Sequence, residues 1–271
     1  MLGTVRKVAQ VLELFTAERP EWGVTEVAWA LGIPKSSVHA LLVTMCNSGL
    51  LRKTPDRRYR LGWRLLALHR VLLETTEFRA EALPAMQSLV ARYGETVHLA
   101  ALDDGQVVYV EKLEGTRAVR VSVSRVGARL PAHCSAVGKV LLAFRPWEEV
   151  QAIVKAQGLP AFTPRTITSL QQLRSELERV RQEGCAYDLE EVMPELCCVA
   201  APIREYTGTV VAAMSLSVPA YRFHQYKEEY RRAIVQAARS VSENLGYFTE
   251  GGGQRWSAGT ERRVEVAWAT R

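Results

Sequence analysis

The sequence predicts an α+β fold, with a small basic helical domain that carries a β-hairpin, followed by a larger domain of strands and helices. Three observations lead to this prediction. A length of 271 residues suits one large domain or two ordinary ones. The apolar spacing is helical over the first third of the chain and alternates, as in strands, from Glu95 onward. Most of the net charge of +6 lies at one end.

That charge is unevenly distributed along the chain. Residues 1–64 hold ten Lys or Arg and five Asp or Glu, a net charge of +5, whereas residues 65–249 are neutral. A local basic excess favours a polyanionic partner such as DNA, RNA or an acidic membrane, and a modest surface bias is the alternative.

Cysteine content and hydropathy indicate the compartment. Five cysteines are few and odd in number, which argues against a disulfide framework and for a reducing cytoplasm. The apolar stretches are far shorter than the roughly 20 residues that span a bilayer. The first residues contain no apolar core of a signal peptide. We therefore expect a cytoplasmic protein with no membrane partner.

The first domain begins with three predicted helices, at 4–17, 24–31 and 35–48. Thr25 is the expected N-cap of the second helix. Gly32 fits its left-handed end, and Pro34 suits the first position of the third. Two short helices joined by a tight turn predict a helix-turn-helix, whose second helix can enter the DNA major groove. The start of that helix offers short or polar side chains: Lys35, Ser36, Ser37, His39 and Ala40.

A β-hairpin follows the third helix. Leu50–Lys53 and Tyr59–Leu61 read as strands, and Thr54–Arg58 reads as the turn between them. Cations lie at its tip, so this wing could follow the DNA backbone or reach into the minor groove. The alternative is a three-helix cap with a solvated hairpin.

Residues 4–66 resemble the winged helix-turn-helix of the IclR family of bacterial transcriptional regulators. The resemblance is carried by the segments 5–7, 12–15, 31–39, 49–51 and 59–62. We expect DNA contacts from twelve residues: Arg6, Thr25, Lys35, Ser36, Ser37, His39, Arg52, Lys53, Arg57, Arg58, Tyr59 and Arg60. Ala40 stands where the family often carries Arg or Tyr, which removes one possible contact.

The winged helix-turn-helix is assigned to residues 1–62 and a linker helix to 63–78. The apolar spacing continues to about Val90, and Pro84 is expected in the first turn of a new helix. In the family that the chain resembles, such a helix joins the two domains and packs between subunits. Ordinary burial in one domain is the alternative.

The remaining chain predicts a domain at 79–248 built on one central sheet. Predicted strands lie at 96–102, 107–112, 118–124, 185–190, 198–203 and 209–218. Predicted helices lie at 135–144, 147–156, 170–183 and 226–245. Residues 249–271 open with three glycines and are expected to form a flexible tail.

The resemblance extends through 130–139, 162–168 and 198–203 and covers about 4–248. It implies a GAF-like domain that binds a small-molecule effector, in a homodimer or a dimer of dimers. In the family an acid, a cysteine and two serines line the cavity. The matching positions are Asp188, Cys198, Ser215 and Ser217.

The residues themselves support a pocket for a small organic or aromatic acid. Ser215 and Ser217 are two apart in a strand, so their hydroxyls share one face. Free N–H groups at the start of helix 135–144 suit an anion. The residues nearest that end are His133, Ser135, Ala136 and Val137. Local hydrogen bonding is the alternative for the serines, and a solvated charge is the alternative for Asp188.

Two other function classes are alternatives. A thiol enzyme would use Cys198, and an architectural DNA binder would carry an inert second domain. Cys197 and Cys198 are adjacent and lack the Cys-x-x-Cys spacing of a zinc site. No phosphate-cradling glycine loop or nucleophile elbow is present in the sequence. We therefore expect no catalytic residue, metal or cofactor, and favour a repressor-type regulator of double-stranded operator DNA controlled by an effector.

Overall fold

The computed structural model describes residues 3–117 and 124–248. The chain divides into two compact units between Glu77 and Phe78. We call the first unit the head and the second the body, and each is described by itself.

The head contains the three helices that the sequence predicts. They are α1 (Gly3–Glu13), α2 (Val24–Leu31) and α3 (Lys35–Asn47). The first helix ends four residues earlier than expected, because Leu14 and Phe15 donate to carbonyls only three residues back. The Leu14 carbonyl instead accepts a hydrogen bond from the Trp22 indole at 2.8 Å.

The capping of α2 differs from the expectation for Thr25, which is wrong. The N-cap is Gly23, and its N–H donates to Glu26 Oε2 at 2.7 Å. The Glu26 carboxylate thus accepts a hydrogen bond from the backbone N–H of the N-cap residue at the start of this helix. Gly32 ends the helix with φ of 64°, as predicted. Pro34 is the N-cap of α3 and not its first helical residue.

The hairpin forms as predicted, from β1 (Leu51–Lys53) and β2 (Tyr59–Leu61) in antiparallel register. The turn between them is closed by Thr54, whose hydroxyl accepts the Arg58 N–H at 3.1 Å. The buried core of the head consists of Val11, Trp22, Val27, Ala28, Val38, Leu42, Met45, Leu51 and Tyr59.

The connector consists of two helices, α4 (Arg64–Glu74) and α5 (Glu77–Tyr93), whereas the sequence predicted a linker helix to residue 78. The Thr75 and Thr76 hydroxyls donate back to carbonyls of the last turn of α4. Pro84 lies inside α5, so the expectation of a helix start there is wrong. Proline removes the bond to the Ala80 carbonyl, but both residues are exposed and water can replace it.

The body is built on an antiparallel sheet. Among the described residues it has six strands in the order β5-β4-β3-β8-β7-β6. They are β3 (Thr96–Asp103), β4 (Gln106–Leu113), β5 (Arg129–Pro131), β6 (Ala186–Leu189), β7 (Leu196–Arg204) and β8 (Val210–Pro219). The three-residue β5 was not predicted, because it is too short to show a period of two. The predicted strand 118–124 lies outside the described residues, except for Ser124, which is not in a strand.

Helices cover both faces of the sheet. One core packs α5 and α9 (Ala220–Asn244) on the face that carries Met214 and Leu216. The other packs α6 (Ala136–Ala143), α7 (Trp147–Gln157) and α8 (Leu170–Glu183) on the opposite face. Helix α9 begins six residues before the predicted start and contains a non-helical residue, Tyr226, at φ of −121°. The predicted tail at 249–271 lies outside the described residues.

Within the described ranges, no single helix is long and apolar enough to cross a membrane. Helices α2 and α3 satisfy the length and composition criterion only together, as a pair bent by 114°.

Candidate nucleic-acid interface and ligand pocket

The start of α3 presents a polar surface. Lys35, Ser36, Ser37 and His39 are exposed, while Val38 between them is fully buried in the head. Helix α3 is therefore fixed to the core by one face, with its first polar residues directed to solvent. Its N-cap, Pro34, provides no side-chain hydrogen bond, so first-turn N–H groups remain available to an anion.

The wing cations fall into two groups. Arg52, Lys53 and Arg57 are exposed, and Arg57 stands at the tip with a left-handed φ of 59°. Arg58 and Arg60 instead pair with acids of the head. Arg58 Nη2 lies 2.6 Å from Glu26 Oε2, and Arg60 forms an ion pair with Glu21.

These pairs change the expected role of Arg58 and Arg60. Glu21 also lies 3.7 Å from Arg58, and Arg19 lies 3.0 Å from Glu26, so the acids join the wing to the start of α2. The backbone hydrogen bond from Gly23 and these arginines lower the pKa of the Glu26 carboxyl, which keeps it ionised. Two of the five predicted wing cations, Arg58 and Arg60, are thus already paired within the head.

Tyr59 is not available as a side-chain contact to DNA, which corrects the sequence expectation. Its side chain is only 1% exposed. Its backbone pairs with Trp22 in both directions, at 2.8 and 3.0 Å. The residue therefore holds the wing against the loop before α2. Thr25 and Arg6 are exposed on α2 and α1.

A cavity lies between the start of α6 and the sheet face that carries Ser215 and Ser217. The volume of this cavity is about 30 Å³, or about 490 Å³ with the whole open mouth included. The pocket is therefore narrow. The lining residues are His98, Tyr109, Ser124, Leu130, Ser135, Ala136, Val137, Asp188, Val192, Leu196, Cys198, Ser215 and Ser217.

The start of α6 forms one wall. Ser135 is the N-cap, as its hydroxyl accepts the Gly138 N–H at 3.1 Å. The N–H groups of Ala136 and Val137 donate to nothing among the described residues. A Cβ at Gly138 would lie 2.2 Å from the Ala132 carbonyl oxygen, so glycine lets the preceding loop approach the helix.

The opposite wall carries a chain of hydrogen bonds across three strands. Ser217 Oγ lies 3.1 Å from Cys198 Sγ and 3.2 Å from His98 Nδ1. Burial lowers the pKa of His98 to about 3, with a smaller contribution from Lys112, so the ring is neutral. His98 Nε2 is buried and has no partner among the described residues. Ser215 pairs with His98 across β3 and β8 and lines the same cavity.

Asp188 is a buried wall residue, which excludes the alternative of a solvated charge. It is 2% exposed, and its Oδ1 accepts the N–H of Glu191 at 2.7 Å and of Val192 at 3.4 Å. Burial is the main cause that raises its pKa to about 7, against the lowering effect of the backbone bond from Glu191.

His133 does not line the pocket, which corrects its assignment. The residue is buried, and its Nε2 lies 3.1 Å from the Pro160 carbonyl. Among the described lining residues, six were not predicted from the sequence: His98, Tyr109, Ser124, Leu130, Val192 and Leu196. His98 and Tyr109 had a usable signal, because each lies in a predicted strand, where alternate residues share one sheet face.

The geometry disfavours the thiol-enzyme alternative. Burial raises the pKa of the Cys198 thiol well above its ordinary value, and Asp188 raises it further. A nucleophile requires the thiolate, which a cationic environment would stabilise. Across the described residues, no three His, Cys, Asp or Glu side chains are grouped as a metal site.

Comparison with known proteins places both units in one group. A model of the IclR helix-turn-helix domain matches residues 4–55, and a model of the C-terminal domain of the bacterial transcriptional regulator IclR matches 70–243. The transcriptional regulator XynR of Escherichia coli is 34% identical over 249 residues, 91% of this chain and 98% of the relative. KdgR of Dickeya chrysanthemi is 36% identical, over 91% of this chain and 81% of the relative.

Solved structures of IclR proteins are also similar to this chain. The Thermotoga maritima IclR crystal structure has a TM-score of 0.73 at 31% identity, and covers 91% of this chain and 100% of its own. An IclR homolog from Microbacterium hydrocarbonoxydans, complexed with 4-hydroxybenzoate, has a TM-score of 0.79 at 30% identity. That match covers 90% of this chain and 99% of the other.

Proposed function

This chain belongs to the IclR family of bacterial transcriptional regulators, and from that premise we propose a separate binding role for each of its two units. It is a regulator with a DNA-binding helix-turn-helix and a C-terminal effector-binding domain. The head binds an operator through α3 and the wing. The body binds a small acid in the pocket. The acid changes the operator affinity because it binds with different affinities to two arrangements of the DNA-binding heads.

For DNA, the supporting observation is the exposed polar start of α3 beside exposed wing cations. Lys35, Ser36, Ser37 and His39 enter the major groove and contact base edges and phosphates. Arg52, Lys53 and Arg57 lie along the backbone, with Thr25 and Arg6 as further phosphate contacts. A specific footprint upstream of a neighbouring operon supports this role, whereas equal affinity for any duplex supports the architectural alternative.

For the effector, the supporting observation is that two kinds of hydrogen-bonding group line one narrow cavity. These are the backbone N–H groups at the start of α6 and the hydroxyls of Ser215 and Ser217. The ligand carboxylate takes the N–H groups of Ala136 and Val137, where the helix dipole favours negative charge. Ser215, Ser217 and Asp188 bind its other polar end. The relative with bound 4-hydroxybenzoate makes this compound a suitable first probe.

A thermal-shift screen of small carboxylic and aromatic acids, beginning with 4-hydroxybenzoate, tests the pocket. We expect an acid that raises the Tm of the parent protein and fails to do so after Ser215→Ala together with Ser217→Ala. Ser175→Ala on the exposed face of α8 is the matched control and retains the shift. Equal stabilisation of the double variant and the parent would exclude those hydroxyls.

We propose a homodimer or a dimer of dimers, supported by α4. None of its residues is buried in the chain, and Leu66, Leu68 and Leu72 are each more than half exposed. A second copy that covers this face would remove that apolar surface from water. Leu68→Glu with Leu72→Glu is expected to lower the mass measured by sedimentation, whereas an unchanged mass excludes α4.

The family consists of transcriptional regulators, which work where the DNA is, so we assign the protein to the cytoplasm. We assign no membrane partner, no cofactor and no catalytic role to the pocket.

A further inference from the structure

Lys139 is a buried cation of α6, the helix whose first residues line the pocket. It belongs to α6, is 1% exposed, and lies four residues after the N-cap Ser135. Its Nζ lies 2.6 Å from Glu191 Oε1 and 2.9 Å from Glu176 Oε1. The amine thus connects α6 to α8 and to the loop that follows β6.

That loop, Glu190–Glu195, is held at several points. Thr163 donates to the Glu190 carbonyl at 2.7 Å, and Thr166 donates to the Glu191 carbonyl at 2.6 Å. Glu190 and Glu195 both have left-handed φ values, of 65° and 63°. Such values are uncommon for residues other than glycine, so the surrounding contacts must hold this backbone in place.

The same loop supplies the hydrogen bonds of Asp188, through the N–H groups of Glu191 and Val192. Among the described residues, no Lys, Arg or His lies within ion-pair distance of the Asp188 carboxyl, since Lys139 is taken by the two glutamates. A buried carboxyl without a cation is disfavoured in its charged form, and Glu191 nearby adds repulsion.

We propose that the Lys139–Glu191 ion pair is a positioning device for Asp188. It fixes the loop that holds the carboxyl, and it leaves Asp188 facing the effector without a cation of its own, so that the protonated carboxyl can donate a hydrogen bond to the effector. Lys139 is a positioning residue, since it acts through Glu191 and not on the ligand. The effector class is thereby narrowed to acids that carry a second oxygen acceptor, such as hydroxy or oxo acids.

Other groups near Asp188 do not provide the missing positive charge. The titratable or charged groups near Asp188 on the packed elements are Tyr109 of β4, Cys134 before α6, Lys139 of α6, Glu191 after β6, Cys198 of β7, and Cys197 on the other face of β7. Burial raises the pKa of each of the three thiols and of the phenol, so these groups are neutral. The field at Asp188 is set by Lys139 against Glu191.

Titration of the aspartate carboxyls in the ligand-free full-length protein directly tests the surroundings proposed for the Asp188 carboxyl. The sequence has four aspartates, and Asp56, Asp103 and Asp104 are exposed. With aspartate carboxyls labelled with ¹³C, one resonance is expected to titrate near pH 7, and it disappears in Asp188→Asn. In Glu191→Gln its midpoint falls by about one pH unit, because the repelling charge is removed while the amide oxygen still accepts from Lys139.

A second measurement tests the positioning role. Lys139→Gln is expected to accelerate hydrogen exchange of the Glu191 and Val192 amides at least about tenfold, while Glu178→Gln, an exposed control on α8, changes neither exchange nor titration. An Asp188 resonance that titrates with the other three, an unmoved midpoint in Glu191→Gln, or unchanged exchange in Lys139→Gln overturns the proposal. The carboxyl titration also decides the case if Lys139→Gln does not fold.

The inference rests on the effector pocket proposed above, and the two can fail separately. Both measurements use protein without ligand, so the absence of a stabilising acid contradicts the proposed function alone. An acid that binds a protein whose Asp188 titrates at low pH contradicts the positioning proposal alone.

Discussion

Replacing the two neighbouring wing arginines one at a time separates DNA contact from domain support. Arg57 is exposed at the tip, whereas Arg58 is held by Glu26 and Glu21. Each lost phosphate contact reduces the slope of log K against log salt by about 0.9, which corresponds to about fivefold in affinity at roughly 0.15 M salt. Arg57→Ala should therefore reduce the slope by about 0.9 per bound head.

Arg58→Ala should change the slope much less and affect stability instead. Its pairs are about one third exposed, so each contributes only about 0.5 kcal/mol to the free energy of unfolding. Fluorescence anisotropy across a salt series gives the slopes, and urea unfolding gives the stabilities. Arg174→Ala on α8 is the charge-matched control. Equal slopes for Arg57→Ala and Arg58→Ala would refute the division, and an unchanged slope in Arg57→Ala would remove the tip from the interface.

Three further predictions concern the core of the head and the pocket. Tyr59→Ala should cost about 3 kcal/mol in urea unfolding, because a buried aromatic ring leaves a cavity, while exposed Leu61→Ala should cost less than about 1 kcal/mol; similar costs would contradict the core assignment. Gly138→Ala must displace the Ala132 carbonyl and should abolish effector-induced thermal stabilisation, and a retained Tm shift would contradict the close approach. The Asp188 pKa is raised from 3.8 to about 7, so the folded state binds more protons than the unfolded state between these two pH values. The free energy of unfolding should therefore fall as pH rises from about 4 to 7, by at most about 4 kcal/mol. Urea unfolding across this range should show a shallower fall in Asp188→Asn, and parallel curves for parent and variant would contradict this prediction.

Local signals predicted the helix-turn-helix closely. Gly32 and Pro34 mark the turn between α2 and α3 by backbone geometry alone, which needs no knowledge of the rest of the fold. The period of two likewise placed Ser215 and Ser217 on one sheet face, which lines the cavity. The same period places Tyr59 and Arg60 on opposite faces of β2, which is a signal that Tyr59 is buried. The prediction of Tyr59 as a DNA contact did not use this signal.

Features that depend on contacts distant in sequence were not predictable in this way. The Arg58–Glu26 pair joins residues 32 apart, and Lys139 and Glu191 are 52 apart. His98 meets Ser217 only because β3 lies beside β8, an adjacency that the order of strands in the chain does not specify. Pro84 sits inside α5 because its face is exposed, and exposure is set by the packing of the whole domain.

The central claim is that an acid in the body pocket changes the operator affinity of the head. The most direct measurement is the operator dissociation constant with and without a stabilising acid, in the parent protein and in the Ser215→Ala, Ser217→Ala variant. We expect the acid to change the constant of the parent at least about fivefold, as allosteric coupling commonly does, and to leave the variant unchanged. An acid that stabilises the parent protein while its operator affinity stays the same would contradict the claim.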